Sequence, residues 1–262
     1  MYDFHLNRFE YFKTQITNTN RYVIPFIESS GYQLDKGQRV LEIGCAEGGV
    51  LKAFVDRTSM GIGVERDALR VEQANEYLKD EIQQGKITIY QNDIFDPEFA
   101  TKFAGRFDLI VLKDVIEHIH GQEKLLHDLQ AYLAPKGKIF LGFPPWRMPF
   151  GGHQQVCRSK FLSRSPWIHL LPKPIYKSLL LAFKEKPDWF MDTRETGISI
   201  ARFEKIARSA GYTITGTKHY LINPIYEFKF GWKPKEQYAF IQHIPYFRDF
   251  LTTCVYYLIE KK

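Results

Sequence analysis

Cysteine is scarce in these 262 residues: Cys45, Cys157 and Cys254 stand far apart, with no CxxC pair. An odd number so spaced argues against a disulfide framework or a zinc site, and fits a reducing compartment. Long apolar runs are missing as well; none approaches the ~20 residues that span a bilayer. The first ten residues include Asp3, His5, Asn7, Arg8 and Glu10, so they lack the apolar centre of a secretory leader. A cytoplasmic protein is the expectation. Internal repeats, low-complexity segments and flexible linkers are lacking too. Charge is only mildly one-sided, at +6 with a pI near 9.0, which does not make nucleic acid the first expected partner.

Apolar material is ample: 44% of residues are hydrophobic and 15% aromatic, enough for one large domain with an insertion. From 38 to 142, strand and helix patterns alternate, which implies a parallel sheet with helices on both faces. Strands are expected at 39–43, 60–65, 86–90, 107–112 and 138–143. Helices are expected near 48–57, 67–83 and 121–133, the last stopped by Pro135-Lys136-Gly137. Residues 1–37 read as an N-terminal helical cap with apolar positions Phe4, Phe9, Phe12, Tyr22 and Phe26, interrupted by Pro25 and Gly31. A helix packed on the sheet edge fits that segment equally well.

Residues 144–199 break the rhythm and read as an insertion or lid. Between Arg158 and Lys186 stand seven Lys/Arg and one acid, interleaved with Phe161, Trp167 and Leu179–Leu181. A packed helical insertion with solvated lysines explains this, as does a lid touching a membrane surface or an acidic substrate. The regular pattern resumes with a helix over 202–211 and strands over 212–221 and 252–259. The aromatic-rich stretch 222–250 between them would line an acceptor pocket or pack the lid.

The chemistry is concentrated at strand ends, where ligands bind in such sheets. Val40-Leu41-Glu42-Ile43-Gly44-Cys45-Ala46-Glu47-Gly48-Gly49 reads as a buried strand running into a glycine-rich turn and a helix. Small residues let the backbone approach a ligand, and the helix aims its N–H groups at it. Strand two ends at Glu65, placed to hydrogen-bond ribose hydroxyls, with Arg66 beside it. Asn92-Asp93-Ile94 follows strand three, where Asp93 and Ile94 would bracket an adenine edge. Strand four leads into Lys113-Asp114-Val115-Ile116-Glu117-His118. The glycine turn alone also fits the G-x-A-x-x-G of a nicotinamide enzyme.

Taken jointly, these residues resemble the S-adenosylmethionine-dependent methyltransferases of the Rossmann-like class. Glu42-Ile-Gly44-Cys-Ala46-Glu-Gly48 matches that family's acidic-x-Gly-x-Gly-x-Gly motif, with Ala46 replacing the middle glycine. The run 115–119 looks like its "LEH" segment, and Leu133-Ala-Pro135-Lys-Gly137 like its turn before strand five. The resemblance covers roughly 38–143 and the elements after 200. It implies a doubly wound, seven-stranded, mostly parallel α/β sheet and S-adenosylmethionine as cofactor. Glu42, Gly44, Cys45, Ala46, Gly48, Glu65, Arg66, Asp93, Ile94 and Lys113 would form the cofactor site.

Asp114, Glu117 and His118 are spaced i, i+3, i+4, so one helical turn would put them on one face. Two carboxylates and an imidazole suit Mg²⁺ or Mn²⁺. A similar cluster binds metal in the ubiquinone-pathway O-methyltransferases. In the methyltransferases of small-RNA 3′ ends a further histidine after strand five joins it, a part open here to His153. Alternatively, Asp114 caps a helix and His153 serves as a general base without metal. His118 and His153 are the catalytic candidates. A small aromatic or lipidic acceptor, methylated on oxygen, is the leading expectation. An RNA substrate held by the basic lid and a cofactor-binding protein without catalysis remain the alternatives.

Overall fold

The computed structural model describes residues 7–262, so the expected apolar position Phe4 lies outside the described residues. Its sheet is built from β1 (Arg39–Ile43), β2 (Met60–Glu65), β3 (Ile87–Gln91), β4 (Phe107–Lys113), β5 (Leu133–Phe143), β6 (Tyr212–Ile222), β7 (Lys235–Glu236) and β8 (Cys254–Lys261). The order across the sheet is β3-β2-β1-β4-β5-β8-β6-β7. Strands β1 to β5 run parallel, and β8 lies antiparallel between β5 and β6. Seven strands are expected from the sequence; among the described residues there are eight. The extra one is the two-residue β7, which pairs with the outer edge of β6 and is too short to leave a periodic signal.

Alternate residues of each central strand feed two apolar layers, as a parallel sheet covered on both faces requires. Leu41, Ile43, Ile110, Leu112, Ile139 and Leu141 face the helices Gln122–Leu129 and Ile200–Ser209, through Leu125, Leu129, Phe203 and Ile206. Val40, Leu109, Val111, Phe140 and Tyr256 face the other way, toward Leu51, Phe54, Val23, Phe26 and Ile27. Each such fully buried side chain contributes about 1.5–3 kcal/mol of transfer free energy.

The N-terminal segment is continuous helix, Arg8–Asn18, Thr19–Val23 and Ile24–Ser29, the middle part wound as a π-helix. The Ile24 N–H reaches back five residues to the Thr19 carbonyl, just before Pro25, which has no N–H to offer. Pro25 is thus absorbed, and only Gly31, at φ +85°, ends the helix. The expected helix over 67–83 is two pieces, Ala68–Tyr77 and Lys79–Gln83, broken at Leu78. The break drives Leu78 under the glycine turn, where its Cδ1 would lie 2.4 Å from a Cβ on Gly48. Pro135-Lys136-Gly137 does not end a helix; it forms an irregularity inside β5, whose pairing with β4 shifts between Leu133 and Lys138. Lys136 sits at φ +66°, and a Cβ on Gly137 would meet the Phe107 carbonyl at 2.7 Å.

After β5 the chain makes an excursion carrying the helices Lys160–Arg164, Lys173–Ala182 and Pro187–Thr196. Cys157, Leu162, Tyr176, Leu180, Phe190 and Met191 give it a small apolar core of its own. It leaves and returns at one point, where the Trp146 N–H donates to the Ile198 carbonyl (2.8 Å). Among the described residues, no helix is long and apolar enough to cross a membrane.

Candidate active site

The carboxyl ends of β1, β2, β3, β4 and β5 open into one cavity of about 1230 Å³. Single small-molecule sites occupy ~300–1,000 Å³, so this space exceeds one typical site. Its floor is the turn after β1. Gly44, Ala46 and Gly48 adopt φ of +65°, +47° and +81°, so the turn depends on left-handed backbone at alternate positions. Ala46 holds this conformation despite its Cβ, which costs ~1–2 kcal/mol relative to glycine. A Cβ on Gly44 would strike Val115 at 2.7 Å, which fixes the distance between this turn and the loop after β4. Cys45 lines the cavity, yet its thiol packs 2.6 Å from where a Cβ on Gly63 would stand, so it turns toward the sheet.

Glu65 closes β2 with both carboxylate oxygens engaged. Oε2 accepts from the Ala46 N–H (3.0 Å), and Oε1 from the N–H groups of Arg66 (2.8 Å) and Asp67 (2.9 Å). One side chain therefore locks the glycine turn to the end of β2. After β3, Asp93 Oδ1 accepts from the Phe95 N–H (3.0 Å), and its Oδ2 lies 3.5 Å from Arg66 Nε. Asn92, Asp93 and Ile94 all line the cavity beside Glu65.

The end of β4 differs from its expected form. Asp114 takes φ +57°, and only Ile116–His118 are helical, as a single 3-10 turn. The three side chains thus do not share one turn of α-helix. Asp114 instead meets the buried Lys113, Nζ to Oδ2 2.6 Å. Burial works against the Lys113 charge, but the Asp114 carboxylate overrides it and holds the ammonium protonated.

Glu117 and His118 do converge with His153. One ligand atom from each of the three lies within 4.8 Å of the others, and Asp114 is outside this group. His153 arrives from the excursion after β5 at φ +54°, flanked by the close-packed Gly151 and Gly152. Its ring lies 4.8 Å from that of His118 and 6.1 Å from that of Trp189. Among the described residues, neither Glu117 oxygen nor His153 Nε2 has a hydrogen-bond partner, although all three atoms are buried. Burial, reinforced by Asp114, raises the Glu117 carboxyl well above its usual range. Burial and the adjacent His118 push His153 down to about 3, so its imidazole is neutral. His118 is lowered by burial too, against the pull of Asp114. Glu42 repeats the pattern beneath the glycine turn: it is buried, Oε2 lacks a partner among the described residues and its carboxyl is raised by burial.

The N-terminal segment and the stretch 222–250, each expected to border the site or to pack elsewhere, supply individual wall residues that the sequence does not single out. Arg8, Tyr11, Phe12 and Gln15 of the N-terminal helix line the cavity, so this segment both packs on the sheet and roofs the site. Arg8 pairs with the buried Glu47 of the glycine turn at 3.0 Å. From 222–250, Tyr226, Lys229 and Phe230 line the cavity, whereas Trp232, Tyr238, Phe240, Tyr246 and Phe247 are exposed. Trp189 and Asp192 come from the helix Pro187–Thr196, whose end is held where the Thr196 hydroxyl donates to the Glu117 carbonyl (2.6 Å). Periodicity marks Tyr11 and Trp189 as ordinary apolar positions, so no local signal singles them out.

Comparison with known proteins converges on one class. The family described as methyltransferase domain matches residues 16–215. The chain is 30% identical over 105 residues to the ubiquinone biosynthesis O-methyltransferase of Coxiella burnetii, covering 40% of this chain and 43% of that protein. It is 25% identical over 130 residues to the protein of the same name from Histophilus somni, covering 46% and 53%. The chain thus spans about half the length of the curated relatives it matches. A crystal structure of an S-adenosylmethionine-dependent methyltransferase from Mesorhizobium loti shares the fold, with TM-score 0.54 at 13% identity over 93% of this chain and 99% of that one.

Proposed function

The chain belongs to the methyltransferase-domain family, and from that premise we propose that it methylates a hydroxyl oxygen of a small aromatic molecule, with S-adenosylmethionine as donor. The observation that carries this reading is the single cavity in which the Glu65-locked glycine turn and Asp93 meet the Glu117–His118–His153 cluster. The residues present suit the donor. Glu65 would hold the ribose hydroxyls, Asp93 and Ile94 would flank the adenine, and the buried carboxyls of Glu42 and Glu117 would favour a cation; all five line the cavity. When bound, the cofactor supplies a methyl group on a sulfonium centre, open to in-line displacement.

The rest of the chemistry falls to the protein. The roof from Tyr11 and Phe12 and the wall from Phe150, Trp189, Tyr226 and Phe230 line the cavity and would position a flat acceptor in line with the methyl group. A hydroxyl acceptor must lose its proton as the methyl arrives, and Glu117, His118 and His153 offer acceptor atoms at that end of the cavity.

A second reading adds a divalent cation, favoured by the three converging atoms whose buried members lack partners. Glu117, His118 and His153 would hold it, without Asp114; the cation would lower the pKa of the acceptor hydroxyl. The ubiquinone biosynthesis O-methyltransferases that the chain resembles favour the small-molecule reading over the nicotinamide and RNA ones.

Calorimetric titration of S-adenosylhomocysteine into chelator-treated protein, with NAD as control, tests the first reading. The expected result is saturable binding of the first and none of the second; NAD binding alone would sink it. Repeating the assay of methyl transfer with Mn²⁺ restored separates the metal-assisted form from the metal-free one.

A further inference from the structure

We infer that the loop between β7 and β8, together with the exposed side of the excursion after β5, is a docking surface for an anionic lipid bilayer. Such docking is independent of the reaction assigned to the cavity.

Residues 237–251 form a loop closed at its base. The Gln237 side-chain amide donates to the Leu251 carbonyl, and the Gln242 amide donates to the Gln237 carbonyl (2.8 Å). The loop is also pinned to the body of the protein. Its buried Asp249 pairs with Arg147 (3.0 Å), and its Arg248 pairs with Glu204 of the helix Ile200–Ser209 (2.7 Å). The Thr252 hydroxyl donates to the Arg248 carbonyl (2.6 Å). Yet Tyr238, Phe240, Ile244, Tyr246, Phe247 and Leu251 are all exposed, Phe240 by 68% and Phe247 by 62%. A fixed loop that holds six large apolar side chains in water marks a contact surface.

The excursion adjoins this loop through Arg147. Its guanidinium lies 4.4 Å from the Tyr246 ring, and its carbonyl accepts from the indole N–H of the exposed Trp167 (3.2 Å). Further exposed apolar side chains stand on the excursion itself: Phe161 stacks on Phe183 at 5.5 Å, and the helix Lys173–Ala182 shows Ile175 and Leu181 to solvent.

Charge decides between the occupants. Every Lys and Arg from Arg158 to Lys186 is exposed, whereas Glu185, the one acid of that stretch, is buried and accepts from the Ser159 N–H (2.8 Å). Asp249, the one acid of the loop, is buried as well. A second copy docked patch to patch would bring these cations against one another. A protein partner matches less well, because lysine is depleted from protein interfaces. Aromatic side chains at headgroup depth, interspersed with lysine and arginine, suit an anionic bilayer.

The test is co-sedimentation with vesicles of phosphatidylcholine alone and of phosphatidylcholine with about 30% phosphatidylserine. Partition onto the anionic vesicles should be about tenfold to a hundredfold higher, and should fall as salt rises. The double substitution Phe240→Ser and Phe247→Ser should lower it by about tenfold or more. Neither residue lines the cavity, so S-adenosylhomocysteine affinity and thermal unfolding should match the wild type. Lys160→Glu with Lys177→Glu should reduce the preference for anionic vesicles by about tenfold or more. No partition, equal partition on the two vesicles, or partition unmoved by the phenylalanine substitutions would each overturn the assignment. So would a dimer in sedimentation velocity that those substitutions dissociate, since it would give the patch to a second copy.

Discussion

The proposed cofactor end and the proposed acceptor end of the cavity are built differently. At the cofactor end, backbone held by parallel strands forms the surface, and both Glu65 oxygens and Asp93 Oδ1 accept backbone N–H groups, although the buried Glu42 Oε2 has no partner among the described residues. At the acceptor end, side chains come from the loop after β4, the excursion after β5 and the segment between β6 and β8. Among the described residues, buried atoms of Glu117 and His153 are left without partners there. A satisfied set is a preformed receptor that changes little on binding. An unsatisfied buried set costs free energy in the empty protein, and a bound ion or acceptor recovers that cost.

Removing a side chain at the acceptor end should give the largest effect and leave the other end untouched. His153→Ala is expected to lower turnover by about 10²–10⁴-fold, the usual span for a lost proton acceptor, with unchanged affinity for S-adenosylhomocysteine. Steady-state kinetics beside calorimetry reads both quantities; a parallel loss of cofactor affinity would mean that the two ends are one unit. Glu65→Ala should do the converse. It weakens S-adenosylhomocysteine binding by about tenfold to a hundredfold and, by freeing the Ala46 N–H, loosens the glycine turn. If the variant binds as well as wild type, the ribose assignment fails.

The smallest effect sharpens the contrast in stability. His169 is fully buried in the excursion, with Nε2 2.8 Å from the Trp146 carbonyl, and burial lowers its imidazole to about 4. Because its folded value lies below the ordinary one, its contribution is complete above pH 6.5 and is lost as pH falls toward 4. The penalty reaches roughly 1–2 kcal/mol by pH 5.5. Thermal unfolding between pH 7.5 and 5 should therefore fall less steeply in His169→Gln than in wild type. Equal slopes would assign the acid sensitivity to the other buried histidines, His153 and His219, both of which are also lowered by burial.

How legible each part was follows from the range of the interactions behind it. The order of strands and helices through β5, and the placement of Glu65 and Asp93 just after β2 and β3, follow from patterns within a few residues of each site. The left-handed backbone at His153, beside the close-packed Gly151 and Gly152, depends on contacts with Trp146 and His169. The i, i+3, i+4 spacing misled at Asp114, because the buried Lys113 ammonium had to be neutralised and the backbone turned to bring the carboxylate to it. The break at Leu78 and the irregularity in β5 answer to packing partners dozens of residues away.

The sequence by itself determined the doubly wound class, the glycine turn and the acids at the ends of β2 and β3, because periodicity and turn chemistry are local. Tertiary structure alone decided that the N-terminal helix, expected as a cap or a sheet-edge helix, does both, and that Asp114 leaves the Glu117–His118–His153 cluster. Those outcomes depend on which buried charges find partners across the chain. Sequence spacing does not encode that pairing; it is settled only when the elements close on one another.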